Sequence, residues 1–232
     1  MNDPLNLEGF SLGLSEVPTD IIKKRVPAAR LDTRRAKLTR IFQIGFNKCG
    51  TRSLYRFLQR SGIASAHFNR GQLATSMKLN IDAGRKPLAG FLDTYVAFTD
   101  VQQVSRHGAI EGVRYFRELY QYYPHSYFIL NTRDRDAWIK SRLNHGNGFY
   151  AQRYARAIKL HDGDKIEAWW TAEWDRHHAE VQSFFADKPG RLLVYDIKSD
   201  NPQKMVDFLA PDFLTRVTDF RHEGETALIK RT

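Results

Sequence analysis

Cysteine is nearly absent from this chain: its 232 residues hold one, Cys49. A single thiol excludes an intramolecular disulfide framework and a cysteine-based zinc site. It fits a reducing compartment. Long apolar runs are missing too. No stretch approaches the ~20 apolar residues that a membrane helix needs, and the N-terminal segment lacks the basic-then-apolar order of a secretory signal. The expectation is a soluble, cytoplasmic protein without a membrane span. Internal repeats and low-complexity tracts are also absent. Acidic residues are in short supply: 26 Asp and Glu face 36 Lys and Arg, a net charge of +10. That balance favours anionic partners such as phosphates, sulfates, nucleic acid or acidic glycans.

Aromatic residues are plentiful, with 4 Trp, 15 Phe and 10 Tyr, which excludes disorder along the whole chain. At about 150 residues per domain, the length suggests one enlarged domain. Residues 1–37 read as an irregular basic arm containing Pro4, Pro18 and Pro27. Residues 38–232 read as a single α/β domain. From Lys23 to Arg40 there are eight basic residues and one acid, Asp32, so most of the excess charge is local.

Beyond the arm the pattern becomes regular. Leu38 to Phe46 is a β-rich run, followed by a loop and then by Leu54, Phe57 and Leu58 at helical spacing up to Gly62. A second unit has a helical stripe from Val113 to Tyr123, the apolar strand candidate Tyr127 to Thr132, and a helix restarting after Arg133-Asp134. A third has a long helix from Lys165 to Phe185, the strand candidate Leu192 to Ile197, and a helix through Met205 and Leu209. Short apolar strands alternating with amphipathic helices predict a P-loop-like three-layer α/β fold, a central parallel sheet flanked by helices. Ligands in such sheets bind at the carboxyl ends of the strands. Two candidate strand ends carry cations there, Lys48 and Arg133.

The segment GFNKCGTRS, residues 45–53, follows a strand and opens a helix. Its glycines permit a tight turn with amides facing an anion, and the helix N-terminus adds partial positive charge. The two glycines have the spacing of the nucleotide P-loop, GxxxxGK[ST]. Thr51-Arg52 replaces its Lys-Ser/Thr, and the lysine sits inside the loop as Lys48. A small P-loop kinase or NTPase is therefore the alternative enzyme, weakened by the missing lysine and by the lack of an evident Asp for Mg²⁺. A nucleic-acid-binding module is disfavoured, because the basic density lies in the arm and no nucleic-acid motif is present.

The residues 48–53, Lys-Cys-Gly-Thr-Arg-Ser, resemble the first motif of sulfotransferases that use 3′-phosphoadenosine-5′-phosphosulfate (PAPS). Arg133 at a strand end with Ser141 eight residues on resembles their second motif. Tyr123-Pro124, Phe128 to Leu130, Arg133-Asp134, Trp138 and Ser141 together are similar to the bacterial and Golgi-type branch. The resemblance covers about residues 38–210 and implies a PAPS-dependent sulfotransferase, with PAPS as donor, no metal and a carbohydrate or glycolipid hydroxyl as acceptor. A non-catalytic relative that binds nucleotide or polyanion is the remaining alternative. The resemblance assigns Lys48 to the leaving group. Loop residues 48–53 hold the 5′-phosphate through amides near Cys49 and Gly50 and hydroxyls of Thr51 and Ser53, with Arg52 standing where Thr or Ser is commoner. It assigns Arg133 and Ser141 to the 3′-phosphate. Arg221, in Arg221-His-Glu-Gly224, is a faint echo of a C-terminal glycine-rich motif.

An acceptor hydroxyl needs a base. His67, expected on a second strand beside the first, and Asp100, in AFTDVQ, are the two candidates left open by the sequence. Cys49, at a helix N-terminus, is expected to have a lowered pKa and to be open to alkylation. His177-His178 and the tryptophans of the long helix read as structural. Residues 67–110 and 144–165 are the expected acceptor loops, with 145–148 flexible. The oligomeric state is not legible.

Overall fold

The computed structural model describes residues 39–161 and 163–223; the basic arm lies outside them. Five strands form a parallel sheet: β1 (Ile41–Gln43), β2 (Ser65–His67), β3 (Ala97–Thr99), β6 (Tyr127–Thr132) and β7 (Leu192–Asp196), in the order β2-β3-β1-β6-β7. Between β3 and β6 the chain makes an antiparallel hairpin of β4 (Gln102–Ser105) and β5 (Gly108–Glu111).

The strands are apolar on both faces, and their side chains divide strictly by the period of two. Phe42, Phe98, Phe128 and Leu130 point to one face, where α2 (Gln72–Asp82), α3 (Phe116–Tyr122) and the C-terminal half of α6 (Ile166–Phe185) cover them. Ile41, Ala97, Ile129, Leu193 and Tyr195 point to the other, covered by α1 (Thr51–Arg60) and α7 (Gln203–Leu209). Each such buried large side chain contributes about 1.5–3 kcal/mol. A third core lies beyond the carboxyl ends of the strands. There α4 (Arg135–Leu143), α5 (Phe149–Ala157) and the first half of α6 enclose Phe46, Trp138, Tyr154, Trp170 and Trp174.

The three-layer α/β reading holds, and the strand from Tyr127 to Thr132 falls where the sequence predicts it. Two expectations need correction. The first strand is shorter than 38–46: the Ile44 amide still donates to the Ile129 carbonyl at 2.8 Å, but the Gly45 amide donates to the Asn131 side chain at 3.1 Å, and the chain leaves the sheet. The strand carrying His67 does not lie beside the first; β3 is inserted between them. The regions expected as acceptor loops hold α2, the β4–β5 hairpin and α5. Segment 145–148 is the turn before α5, with positive φ at Gly146, Asn147 and Gly148.

Candidate active site

The loop after β1 is held from beneath. Gly45 leaves no room for a side chain, since a Cβ there would lie 2.0 Å from the Asn131 carbonyl oxygen. Asn131 Nδ2 donates to the Cys49 carbonyl at 2.8 Å, and its Oδ1 accepts from both Gly45 and Gln43 Nε2. One buried amide of β6 thus ties both ends of the loop. Asn47 is bound at every polar atom of its side chain. Its Oδ1 accepts from Arg142 Nε at 2.7 Å and its Nδ2 donates to Tyr150 Oη at 3.1 Å. Its main-chain oxygen accepts from Trp138 Nε1 at 2.9 Å. Between these anchors Lys48 adopts a left-handed conformation, φ 67°, which a non-glycine residue keeps only when its surroundings impose it. Its ammonium has no hydrogen-bond or ion-pair partner among the described residues. Burial, with Arg52 and Arg133 nearby, pulls its pKa below the ordinary lysine value.

Gly50, φ 75°, turns the chain into α1. A Cβ there would press within 2.4 Å of Ile197. No side chain caps α1 and no acid occupies its first turn, so its first amides are open to an anion. Ser53 Oγ accepts from the Glu223 amide at 2.8 Å, which leaves its proton free to donate. At the end of β6, Arg133 donates to the Lys48 carbonyl at 3.2 Å, while its buried Nε has no partner. Asp134 does not enter the site: it caps α4 by accepting from the Ala137 amide at 2.8 Å.

A cavity of about 1250 Å³ opens at the carboxyl ends of the strands. Lys48, Gly50, Thr51, Arg52, Ser53, Arg133 and Ser141 line it, and so do His67 and Asp100. Two sequence candidates stand apart. Cys49 is fully buried against the third core, and burial pushes its thiol pKa up, so the expected lowering does not occur. Its part in the loop is main-chain. Arg221 is exposed and outside the lining; its neighbours His222 and Glu223 are in it.

The wall facing Lys48 is assembled from β2, β3 and the start of β4. Thr99 Oγ1 donates to the Ala66 carbonyl at 3.1 Å, so it accepts from His67 Nδ1, 3.0 Å away. This assignment leaves the lone pair on His67 Nε2, which lies 3.8 Å from Asp100 Oδ2. The Tyr55 ring stacks on the imidazole at 4.8 Å. Burial, aided by Arg52 and Arg56, lowers the His67 pKa to about 4. Asp100 is also held left-handed, φ 53°. Its Oδ1 is buried without a partner. Burial raises its pKa to about 6, with Glu111 adding to the effect, while a loose polar contact from Gln102 and the charges of Arg142 and Lys48 oppose it.

The residues that join the two walls escaped the sequence reading. Gln43 Oε1 accepts from the Asp100 amide at 2.7 Å while its Nε2 donates to Asn131, so one side chain spans from the base candidate to the loop. Tyr150 Oη accepts from Asn47 and Arg142 and donates to Gln102 Oε1 at 3.0 Å, using all its hydrogen-bonding capacity. Arg142 pairs with Glu111 in full burial, 1% and 2% exposed, enclosed by Trp138, Trp170 and Tyr154. The available signal was the polar residue inside an apolar run, Gln43 in IFQIGF and Asn131 in YFILNT. His177 is structural as expected, donating to the Ile44 carbonyl at 2.7 Å.

The parallel sheet with β1 near its centre, the glycine-bounded loop and the cationic cavity define a P-loop-like α/β protein with its site at the strand ends. The sequence model of the sulfotransferase domain matches residues 40–172, more than half of the chain, and the chain belongs to the sulfotransferase family. No curated protein matches it significantly. Among the described residues, no group of three or more His, Cys, Asp or Glu is placed to hold a metal ion, and no helix is long and apolar enough to cross a membrane.

Proposed function

We propose that this sulfotransferase takes its sulfuryl group from PAPS and delivers it to a hydroxyl of a carbohydrate-type acceptor. The observation that carries the reading is the cavity itself, with Lys48, the open amides of α1 and Arg133 on one wall and His67 with Asp100 on the other. Residues 1–37 are an arm and residues 38–232 the domain in this reading.

Lys48 stabilises the leaving 5′-phosphate, whose bridging oxygen gains charge as the S–O bond breaks. The amides after Gly50 and the hydroxyls of Thr51 and Ser53 hold that phosphate, with Cys49 serving through its main chain and Arg52 flanking the turn. Arg133 and the Ser141 hydroxyl take the 3′-phosphate, and the unpartnered Nε of Arg133 is a donor suited to it. The acceptor oxygen attacks sulfur in line, forming the new S–O bond, and loses its proton to Asp100. At neutral pH both base candidates are unprotonated, and Asp100, near 6, is the stronger base than His67, near 4. The lone pair of His67 Nε2 accepts from a second hydroxyl of the acceptor and so orients it. Binding and positioning supply the rest of the acceleration.

The test is calorimetric titration of the protein with 3′,5′-adenosine bisphosphate and 5′-AMP without metal, and with ATP both without metal and with Mg²⁺. Selective binding of the bisphosphate is expected. Tighter binding of Mg·ATP would overturn the reading in favour of a kinase.

A further inference from the structure

Two arginines of the cavity have no part in the donor site. Arg70 and Arg153 are exposed, line the cavity, and make no hydrogen bond or ion pair among the described residues. They stand on opposite banks of β4. The turn carrying Arg70 meets this strand at the Gln103 side chain, against Gly71, and α5, carrying Arg153, meets it at the neighbouring Gln102, through Tyr150, so the two contacts fall on alternate faces of the strand. The floor between them is Gln102, Gln103 and Val104, which begins two residues beyond Asp100.

The Arg70 bank is built against conformational preference. Phe68, Asn69 and Arg70, directly after His67, are all left-handed, with φ of 57°, 45° and 53°. Each such residue costs about 1–3 kcal/mol and persists only where the surroundings over-determine it. Here main-chain bonds hold both ends of the turn: the Phe68 amide donates to the Thr99 carbonyl at 3.1 Å and the Gly71 amide, at φ 82°, to the Phe68 carbonyl at 2.9 Å. The end of the Gln103 side chain lies where a Cβ on Gly71 would stand. The strain leaves the Phe68 ring 37% exposed and the Arg70 guanidinium at the rim. Opposing charge is scarce. The lining has two carboxylates, Asp100 and Glu223, and Glu223 is paired with Arg60. The cations crowd one another instead: burial lowers the His145 pKa, and Lys48 and Arg153 add to the lowering.

We infer that the acceptor is an acidic saccharide, whose reacting hydroxyl lies at His67 and Asp100 and whose carboxylates are met by Arg70 on one bank and Arg153 on the other. Guanidinium forks match carboxylate geometry. The Phe68 ring offers a platform for the apolar face of a sugar, and the Gln103 amide can bond its hydroxyls. This rests on the donor reading above.

The experiment saturates the full chain with 3′,5′-adenosine bisphosphate and titrates it with an unsulfated chondroitin hexasaccharide, a neutral maltohexaose and a hexaglutamate peptide. The expected order places the chondroitin probe first, about tenfold or more ahead of maltohexaose. Arg70→Ala and Arg153→Ala each weaken the chondroitin probe several-fold and leave bisphosphate affinity unchanged. Equal affinity for the two saccharides, a preference for hexaglutamate, or undiminished chondroitin binding in the double variant would overturn the inference. So would loss of bisphosphate affinity in either variant, which would assign these arginines to the donor. Failure of the wild-type protein to bind bisphosphate at all would sink the donor reading itself, a separate result.

Discussion

The two walls of the cavity are built on opposite plans. The donor wall is one continuous turn, residues 45–53, with Arg133 beside it, tied down by buried hydrogen bonds with Asn131, Arg142, Tyr150 and Trp138. The acceptor wall, residues 67–70 with Asp100 to Val104, is assembled from the ends of separate strands. Four of its residues, Phe68, Asn69, Arg70 and Asp100, are left-handed without being glycine, against Lys48 alone in the donor wall, and His67 and Asp100 are displaced in opposite directions, His67 down and Asp100 up. A rigid turn suits a phosphate, whose shape does not change between donors. A wall of strained, desolvated groups suits a reacting hydroxyl, where proton affinity matters more than grip.

The largest effect expected belongs to the donor wall. Lys48→Ala should lower turnover about 100- to 1000-fold, read as bisphosphate released from PAPS, while calorimetry shows bisphosphate binding retained. If turnover survived, the charge stabilising the leaving group would have to come from elsewhere. Next is the rigidity of that wall. Gly45→Ala forces a methyl against Asn131 and should destabilise the fold by about 1–3 kcal/mol, read by urea denaturation. An unchanged midpoint would mean that the loop adapts.

The acceptor wall is sharpened by pH. His67 and His177 each fall from 6.5 to about 4 on folding. Between those values the unfolded chain binds protons that the folded one does not, so the stability they contribute is complete above about 6.5 and lost as pH falls toward 4. Asp100, raised from 3.8 to about 6, acts in the opposite sense. Two histidines outweigh one aspartate, so stability should fall on acidification by up to ~1.4 kcal/mol per pH unit from these groups. Chemical denaturation at pH 7 and pH 5 checks the sign. The smallest expected effect probes the link between the walls. Tyr150→Phe removes the hydroxyl that holds Gln102 Oε1 and should raise the Asp100 midpoint by about half a unit. Aspartate-selective ¹³C NMR titration reads it, and an unmoved midpoint would show that Gln102 keeps its orientation without Tyr150.

The contrast between the walls also explains what the sequence disclosed. The donor wall is contiguous, so Lys48 to Ser53 could be read as a string, and Arg133 and Ser141 by their interval. The core strands were legible because Tyr127 to Thr132 and Leu192 to Asp196 are apolar and bounded by turn residues. The acceptor wall depends on which strands become neighbours. His67 and Asp100 are 3.8 Å apart only because β3 lies between β2 and β1, and no local pattern encodes that insertion. β3 itself is three residues long, too short to announce itself by periodicity. The Cys49 expectation failed because a helix N-terminus was weighed without the Phe46 and Trp138 packing that desolvates the thiol. Gln43, Arg142 and Tyr150 bind nothing in the proposed reaction. Their part is to hold other side chains, and such roles show only once the partners are in place.

The most direct test of the account compares two ligands on two proteins: 3′,5′-adenosine bisphosphate and 5′-AMP, titrated calorimetrically into wild type and Arg133→Ala. The account predicts that wild type prefers the bisphosphate and that Arg133→Ala loses most of that preference, about tenfold or more, with 5′-AMP affinity nearly unchanged. A preference that survives in Arg133→Ala would contradict the placement of the 3′-phosphate and, with it, the division of the cavity into a donor wall and an acceptor wall.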